Sequence, residues 1–549
     1  MSVSQKLFKY SLVFSLALIC LLCIATLVQA EICYVAKDGN DSNPGTEARP
    51  WLTLHKVSNT MVAGDTVYVK EGDYSGTVVS ITRSGTADNY ISYLAYPGHT
   101  PIIGQLYFEY GASYNKFDGF EITHPPAGGI VMDHNNDHNI ISNCHIHHCN
   151  PGGSCGVDIS GGSDYNIVED CAIHDVYYAF HTSGDTNKGN IFRRNVCYRL
   201  SDDGFNFSPS AIDTQVIGNV IYDVDWDGSG GADGIHLYDD GTAIVRGNLV
   251  YVDGASTGGV FWIHGGTNHI VENNTFVGLP GFSASFGGIV CVELAANVII
   301  KNNIGYSSDA SVGVFKVINS STNDDYNDWY NAGDSSECVY YGGEWKSVSD
   351  YQRQDGRGLH CISQDPKFVD FANRDFQLQL DSPCKGAGEN GVDMGAYGAA
   401  ELGPIYEYPV EPDPVQGGVG SDPVPEGPGP APASEDAGQA DPVNDESPDD
   451  GTDGVLNRPN PFCAGKEKTY IVYNLKQSSD VTITIYNLLG QEVWRENYQS
   501  GENGGRENNA VPWDGRNLSG EVVGNGGYIC RIWVEREKRY RVRQIAIAK

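Results

Sequence analysis

The chain runs to 549 residues and carries 35 Lys plus Arg against 70 Asp plus Glu, a formal net charge of −35 at pH 7. So acidic a chain argues against nucleic acid and an anionic membrane surface as partners. The length leaves room for more than one domain.

The first segment reads as an address. Lys6 and Lys9 precede an uncharged, largely apolar run from Ser11 to Val28, and Val28-Gln29-Ala30 puts small residues where a signal peptidase cuts. Residues 1–30 are therefore expected to be an export signal. The run is near the lower length limit for a membrane span and ends at a cleavage-like site, so no span is expected after its removal and the mature chain should be secreted or held at the cell surface. Export permits disulfides. Cys149 with Cys155, Cys338 with Cys361 and Cys463 with Cys530 are near in sequence or domain, although connectivity cannot be read from a single chain.

Residues 31–400 form a repeat. N-I-I-S-N-C begins at Asn139, N-I-V-E-D-C at Asn166 and N-I-F-R-R-N at Asn190, followed by related stretches that end at Asn219, Asn248, Asn274 and Asn303. The closing residues Cys144, Cys171, Asn195, Asn219, Asn248, Asn274 and Asn303 are spaced by 27, 24, 24, 29, 26 and 29 residues. Periods of 20 to 50 residues mean stacked units, and β-rich stretches without a helix signature predict an all-β solenoid. Stacked coils place equivalent residues about 4.8 Å apart. Asn195 to Asn303 are thus expected to form an asparagine ladder at a tight bend, tolerating left-handed backbone and bonding to neighbouring amides. Cys144 and Cys171 continue that column as stacked thiols or an inter-coil disulfide.

Each period holds a second stretch led by glycine, at Gly129, Gly156, Gly204, Gly234, Gly259, Gly288 and Gly313. Alternation from those glycines assigns Ile130, Val157, Phe205, Ile235, Val260, Ile289 and Val314 to the interior. The outward column is then Val131, Asp158, Phe180, Asn206, His236, Phe261, Val290 and Phe315. Its polar members lie in the middle coils, where a long polymer would rest.

Beyond the repeat, residues 401–455 are rich in Pro, Gly, Asp and Glu, and no Lys or Arg occurs between Lys385 and Arg458. Such a stretch is expected to be a disordered, self-repelling linker. Residues 456–549 follow with alternating strands, V-T-I-T-I-Y-N from Val481 and G-G-Y-I-C-R-I from Gly526, which predict a small β-sandwich with Trp513 in its core.

The opening Y-V-A-K-D-G-N-D-S-N-P-G-T from Tyr34 and G-D-T-V-Y-V-K-E-G-D-Y from Gly64 resemble the cap and first coil of exported right-handed parallel β-helix proteins. That group includes polysaccharide lyases acting on pectate, alginate or chondroitin. F-Q-L-Q-L-D-S-P-C from Phe376 and D-M-G-A-Y-G from Asp393 resemble its closing segment. One local match is sharper: Asp202-Asp203-Gly204-Phe205-Asn206 is similar to the D-D-G-F-D run of the family 9 pectate lyases. That resemblance implies calcium ligands at Asp202 and Asp203, with Asn206 standing where a third carboxylate would be. Asp233, one coil on, follows the column of Asp203. The lysine base of those lyases has no counterpart, since no Lys lies between Lys188 and Lys301; His236 or Arg246 would take its place. In the C-terminal region, N-R-P-N-P-F from Asn457 and V-P-W-D-G from Val511 resemble the Ig-like domain of the flagellar hook-capping protein, related to secretion-sorting domains, which implies attachment or sorting through export or surface machinery.

The leading expectation is calcium-dependent β-elimination of an acidic, uronate-containing polysaccharide. The alternative is a non-catalytic glycan-binding or adhesive protein in which Phe180, Tyr238 and Phe261 stack on sugars. A glycoside hydrolase with paired acids comes third, because the N-T-D and G-H-G signatures of the polygalacturonase type are absent.

Overall fold

The structure, a computed structural model, describes residues 30–398 with short breaks at 77, 150–152, 209–210, 226–230, 239–240, 253–258 and 285–287, and residues 455–547 with further breaks. Apart from Ala30 and Val455, the expected export signal and linker lie outside the described residues. The chain divides into two units, Met1–Tyr408 and Pro409–Lys549.

In the first unit each coil contributes three short strands. Ile140–Ser142, His145–Cys149 and Val157–Ile159 make one such coil, and Ile167–Glu169 begins the next by pairing in parallel with Ile140–Ser142. Repetition builds a first sheet from Ile32–Val35 to Thr322–Asp325, a second from Gly72–Asp73 to Asp328–Asn331 and a third from Val78–Ile81 to Val339–Tyr341. Alternation puts every second side chain inside, as with Ile130 and Met132 flanking the half-buried Val131. The three inward faces close on one core, with Phe108, Phe117, Phe180, Phe192 and Phe205 fully buried. The helix Leu54–Thr60, capped by Thr53 Oγ1 accepting from Lys56 N at 3.1 Å, adds Leu54 and Val57 to it.

The asparagine ladder stands between the first and second sheets. The backbone N–H of Asn195 donates to Oδ1 of Asn219, and the same bond, 2.9 Å long, repeats from Asn219 to Asn248, Asn274, Asn303 and Asn327. Cys171 N donates to Asn195 Oδ1 at 3.1 Å, which places the cysteines in this column. The left-handed residue, however, is the one before each rung: Arg194, Gly218, Gly247, Asn273 and Asn302 have φ between 54° and 67°. The Asn itself supplies the hydrogen bonds. A second ladder, Asn115, Asn139, Asn166 and Asn190, fills the bend from third to first sheet.

The glycine-led alternation holds at Ile130, Val157, Phe205 and Ile235 and slips after Ile235, while the coil of Phe180, led by Ala179, departs from it as well. The inward column of the third sheet is Ile130, Val157, Phe180, Phe205, Ile235, Phe261, Val290 and Phe315. Phe180, Phe261, Val290 and Phe315 are therefore interior, with no exposed surface, and not outward as expected. The strand Gly259–His264 begins one residue earlier than the glycine alignment requires, so Gly259 faces Asp233 instead of Gly234. A one-residue slip exchanges the two faces. Val260, Ile289 and Val314 are also buried.

Residues 362–398 return along the outside of the second sheet, where Phe368, Phe376 and Met394 cover Val196, Val220, Leu249, Val277 and Ile304. The second unit has two antiparallel sheets around one core containing Ile471, Val481, Ile483, Val511, Trp513 and Ile532, and Trp513 is buried as expected. Cys149, Cys155, Cys338, Cys361 and Cys530 are thiols, and so are Cys144 and Cys171; Cys463 lies outside the described residues. Among the described residues no helix is long and apolar enough to cross a membrane.

Candidate functional site

Ser201 to Gly204 form the corner between Val196–Leu200 of the second sheet and Phe205–Phe207 of the third. One coil on, Asp233–Tyr238 lies beside Phe205–Phe207 with Asn206 opposite His236. Strand pairing thus brings an acidic corner against an outward histidine. Asp203 Oδ1 accepts from Asp233 N at 2.6 Å and Asp203 Oδ2 from Asn206 Nδ2 at 2.6 Å. His236 Nδ1 lies 3.2 Å from Asp233 Oδ2 and 3.7 Å from Asp203 Oδ2. The imidazole is stacked between Tyr238 and Trp262, at centroid distances of 4.0 and 4.3 Å. Asp203, Asp233 and His236 are buried, whereas Asp202 and Asn206 are half-buried and form the margin of the cluster.

Three carboxylates share this corner. Burial and the neighbouring Asp203 charge push the Asp202 carboxyl up to about 6, against the donation of the Tyr177 hydroxyl. Burial, with the charges of Asp203 and Asp202, raises Asp233 well above the usual carboxylate range. Such shifts follow first from burial and second from crowding carboxylates together. Two buried atoms of this corner, Asp233 Oδ1 and His236 Nε2, have no hydrogen-bond partner among the described residues. Asp203, Asp233 and His236 each offer a ligand atom within 4.8 Å of the others. The oxygen donors suit a hard cation such as calcium, which takes carboxylate and amide carbonyl oxygens. With its Nδ2 committed to Asp203, Asn206 keeps its Oδ1 for that purpose. A histidine oriented by a carboxylate on one nitrogen and unpaired on the other has the form of a general base.

The other residues singled out from the sequence lie elsewhere or point elsewhere. Arg246 is on the first sheet, where its Nη2 pairs with Glu272 Oε2 at 2.9 Å, so it does not share the corner with His236. Phe180 and Phe261 are core residues and present no ring to a sugar. Tyr238 is outside, 37% exposed. The outward column of the third sheet reads Val131, Asp158, His181, Asn206, His236, Trp262, Cys291 and Lys316. His181, whose Nδ1 lies 3.4 Å from Asp158 Oδ1, Trp262 and Lys316 were missed by the glycine alignment. Counting back from the ladder finds Trp262 and its neighbours: Ile235, Phe261 and Val290 each stand thirteen residues before a rung, at Asn248, Asn274 and Asn303.

Residues 33–284 match the family model described as Pel9A-like, right handed beta helix region. Among curated proteins, pectate lyase PEL9 of Emericella nidulans is 29% identical over 133 residues, covering 20% of this chain and 32% of its own. A pectate disaccharide-lyase of Dickeya chrysanthemi is 30% identical over 135 residues, 25% of this chain and 16% of its own. The chain thus spans 32% or less of the length of these curated relatives. Among solved structures, pectate lyase Pel9A aligns with a TM-score of 0.44 at 18% identity, covering 68% of this chain and 97% of that one. The chain carries a Pel9A-like right-handed parallel β-helix region, and pectate lyases are among its relatives.

Proposed function

We propose that this chain cleaves a uronate-bearing polysaccharide by calcium-assisted β-elimination at the Asp202–His236 corner. The observation that carries the reading is His236, held by Asp233 on Nδ1 and unpartnered on Nε2, beside three carboxylates of which two are driven toward protonation. Calcium held by Asp202, Asp203, Asp233 and the Asn206 carbonyl would supply positive charge against the sugar carboxylate and the enolate-like charge that develops beside it. Asp233 fixes the imidazole tautomer, and Nε2, which is buried in the free chain, accepts the proton from the carbon next to the uronate carboxyl once substrate binding uncovers it. The electron pair left behind forms a carbon–carbon double bond as the glycosidic carbon–oxygen bond breaks, and the departing oxygen takes a proton from water. Tyr238 and Trp262 clamp the ring in place. The pectate lyases among the relatives favour a uronate polymer. Export, with the second unit serving attachment or sorting, belongs to the same reading.

The test is direct. The mature chain is incubated with pectate, alginate and chondroitin, with calcium and with chelator, and unsaturated ends are followed by ultraviolet absorbance. Calcium-dependent product that disappears in His236→Ala is expected. A folded wild-type chain that yields no unsaturated end from any of the three overturns the reading in favour of glycan binding without cleavage, for which the exposed Tyr238 is the supporting ring.

A further inference from the structure

A separate cluster of imidazoles lies on the second sheet. His145, His147 and His148 belong to His145–Cys149, His174 to Ala172–Val176, and His124 follows Glu121–Thr123. In the parallel register His147 faces His174, while His145 faces Ala172. The small Ala172 side chain lets His145 reach diagonally to His174, a neighbour relation open to long side chains. Their Nε2 atoms meet at 2.7 Å. His174 Nδ1 donates to Asp175 Oδ2 at 2.6 Å, and Asp175 Oδ1 is anchored by Arg199 Nη2 at 2.8 Å. That relay puts the proton on Nδ1 and aims the Nε2 lone pair at His145, as carboxylates do behind metal-bound histidines. His145 is exposed, and the ring of His147 is 4.3 Å from that of His145, with Glu121 Oε1 3.3 Å from His147 Nε2.

We propose that His145 and His174 form a binding site for a borderline transition-metal dication, Zn2+, Ni2+ or Cu2+, independent of the acidic corner on the third sheet. Imidazole nitrogens select such ions over calcium. Bonds of 2.0–2.1 Å at a tetrahedral angle hold two nitrogens about 3.3 Å apart, so the present contact opens by about 0.6 Å to admit the cation. Water, Glu121 or His147 completes the coordination. The ion would bridge two successive coils from outside.

The mature chain is titrated with Ni2+ and Zn2+ by calorimetry and with Cu2+ by electron paramagnetic resonance. A site is expected at which Cu2+ is coupled to two imidazole nitrogens, distinct from any binding at the acidic corner. His145→Ala, at an exposed position and checked for folding by circular dichroism, should remove the two-nitrogen signature. Asp175→Asn should keep both nitrogens while weakening affinity about tenfold, the effect of losing an orienting partner. His236→Ala should change neither reading. Absence of binding by the wild-type chain, undiminished binding by His145→Ala, or loss only in His236→Ala would overturn the proposal.

Discussion

Asn248→Ala removes a rung from the middle of the asparagine ladder, and its cost follows from five hydrogen bonds. Asn248 Oδ1 accepts from the backbone N and the Nδ2 of Asn219, at 2.9 and 3.0 Å. Its Nδ2 donates to Val216 O, Arg246 O and Asn274 Oδ1, at 2.8, 3.2 and 2.9 Å. The side chain has no exposed surface. Some partners keep another bond: Asn219 Nδ2 still donates to Phe192 O, and Arg246 O still accepts from Gly218 N. The Asn219 N–H loses its acceptor inside the protein, which costs about 1–3 kcal/mol, and each remaining bond is worth about 0.5–1.5 kcal/mol net. A destabilisation of about 3–5 kcal/mol is therefore expected, near the upper end for single substitutions. Asn248→Asp should be worse still, because it sets an anion against Val216 O and Arg246 O. Asn323→Ala, on an exposed face, should stay within about 0.5 kcal/mol. Urea unfolding followed by far-ultraviolet circular dichroism measures all three. A loss below about 1 kcal/mol in Asn248→Ala would mean that the ladder does not fix the bends.

Asp328 is fully buried, and burial pushes its carboxyl up to about 7 from 3.8 despite donors from Cys384 and Gln364. The folded chain therefore holds a proton that the unfolded chain releases. The stabilisation is complete below about pH 4 and is lost as pH rises to about 7, on the order of 4 kcal/mol in all; Asp328→Asn should flatten that decline in unfolding measured across pH, and an unchanged slope would refute the assignment. Phe261→Ala should cost about 3–5 kcal/mol as a core truncation, whereas a large loss of glycan affinity at unchanged stability would return that ring to the surface. If calcium occupies the corner, Asn206→Asp should tighten its binding and Asp203→Ala should abolish calcium-dependent cleavage; calorimetry showing equal calcium affinity in both variants and the wild type would remove the ion from the proposal.

What could be read from the sequence depended on which residue type answered to one physical demand. Asn195 to Asn303 do one thing, satisfying amides at a bend, and so their column was visible as a period. Asn139, Asn166 and Asn190 do the same at another bend, yet they stood at the start of apolar stretches and read as strand beginnings. Glycine serves several demands. Gly204 is shut in by Gly234 O and Ile221 Cγ2, where a Cβ would lie 2.4 and 2.7 Å away, whereas Gly259 would meet nothing closer than 3.1 Å. The two do not mark the same place in the coil, and the alignment built on them turned Phe261 inside out. His181 was hidden because Ala179 occupies the place held by glycine in other coils. Asp203 and Asp233 stood out because each directly precedes a glycine that does hold register, Gly204 and Gly234. The pairing of His145 with His174 depends on a diagonal across two coils, for which no linear spacing is diagnostic.

The returning segment on the second sheet changes how this solenoid can come apart. In a bare stack each coil touches only its neighbours, so ends fray and coils peel away one at a time. Here Asp393 O accepts from Asn273 Nδ2, Ala396 N donates to Thr275 Oγ1, and Glu389 pairs with Lys301, closing spans of 120, 121 and 88 residues. Coils from Val196 to Ile304 are lashed to one strap, and none of them can leave from the C-terminal side until the strap lets go. Unwinding from that end should be all-or-none, with amide exchange across those coils falling into a single class while the coils before Val196 exchange by degrees. Folding carries the reverse burden: during synthesis these coils wait, with Val196, Val220, Leu249 and Ile304 uncovered, until the last turn of the unit emerges to cover them.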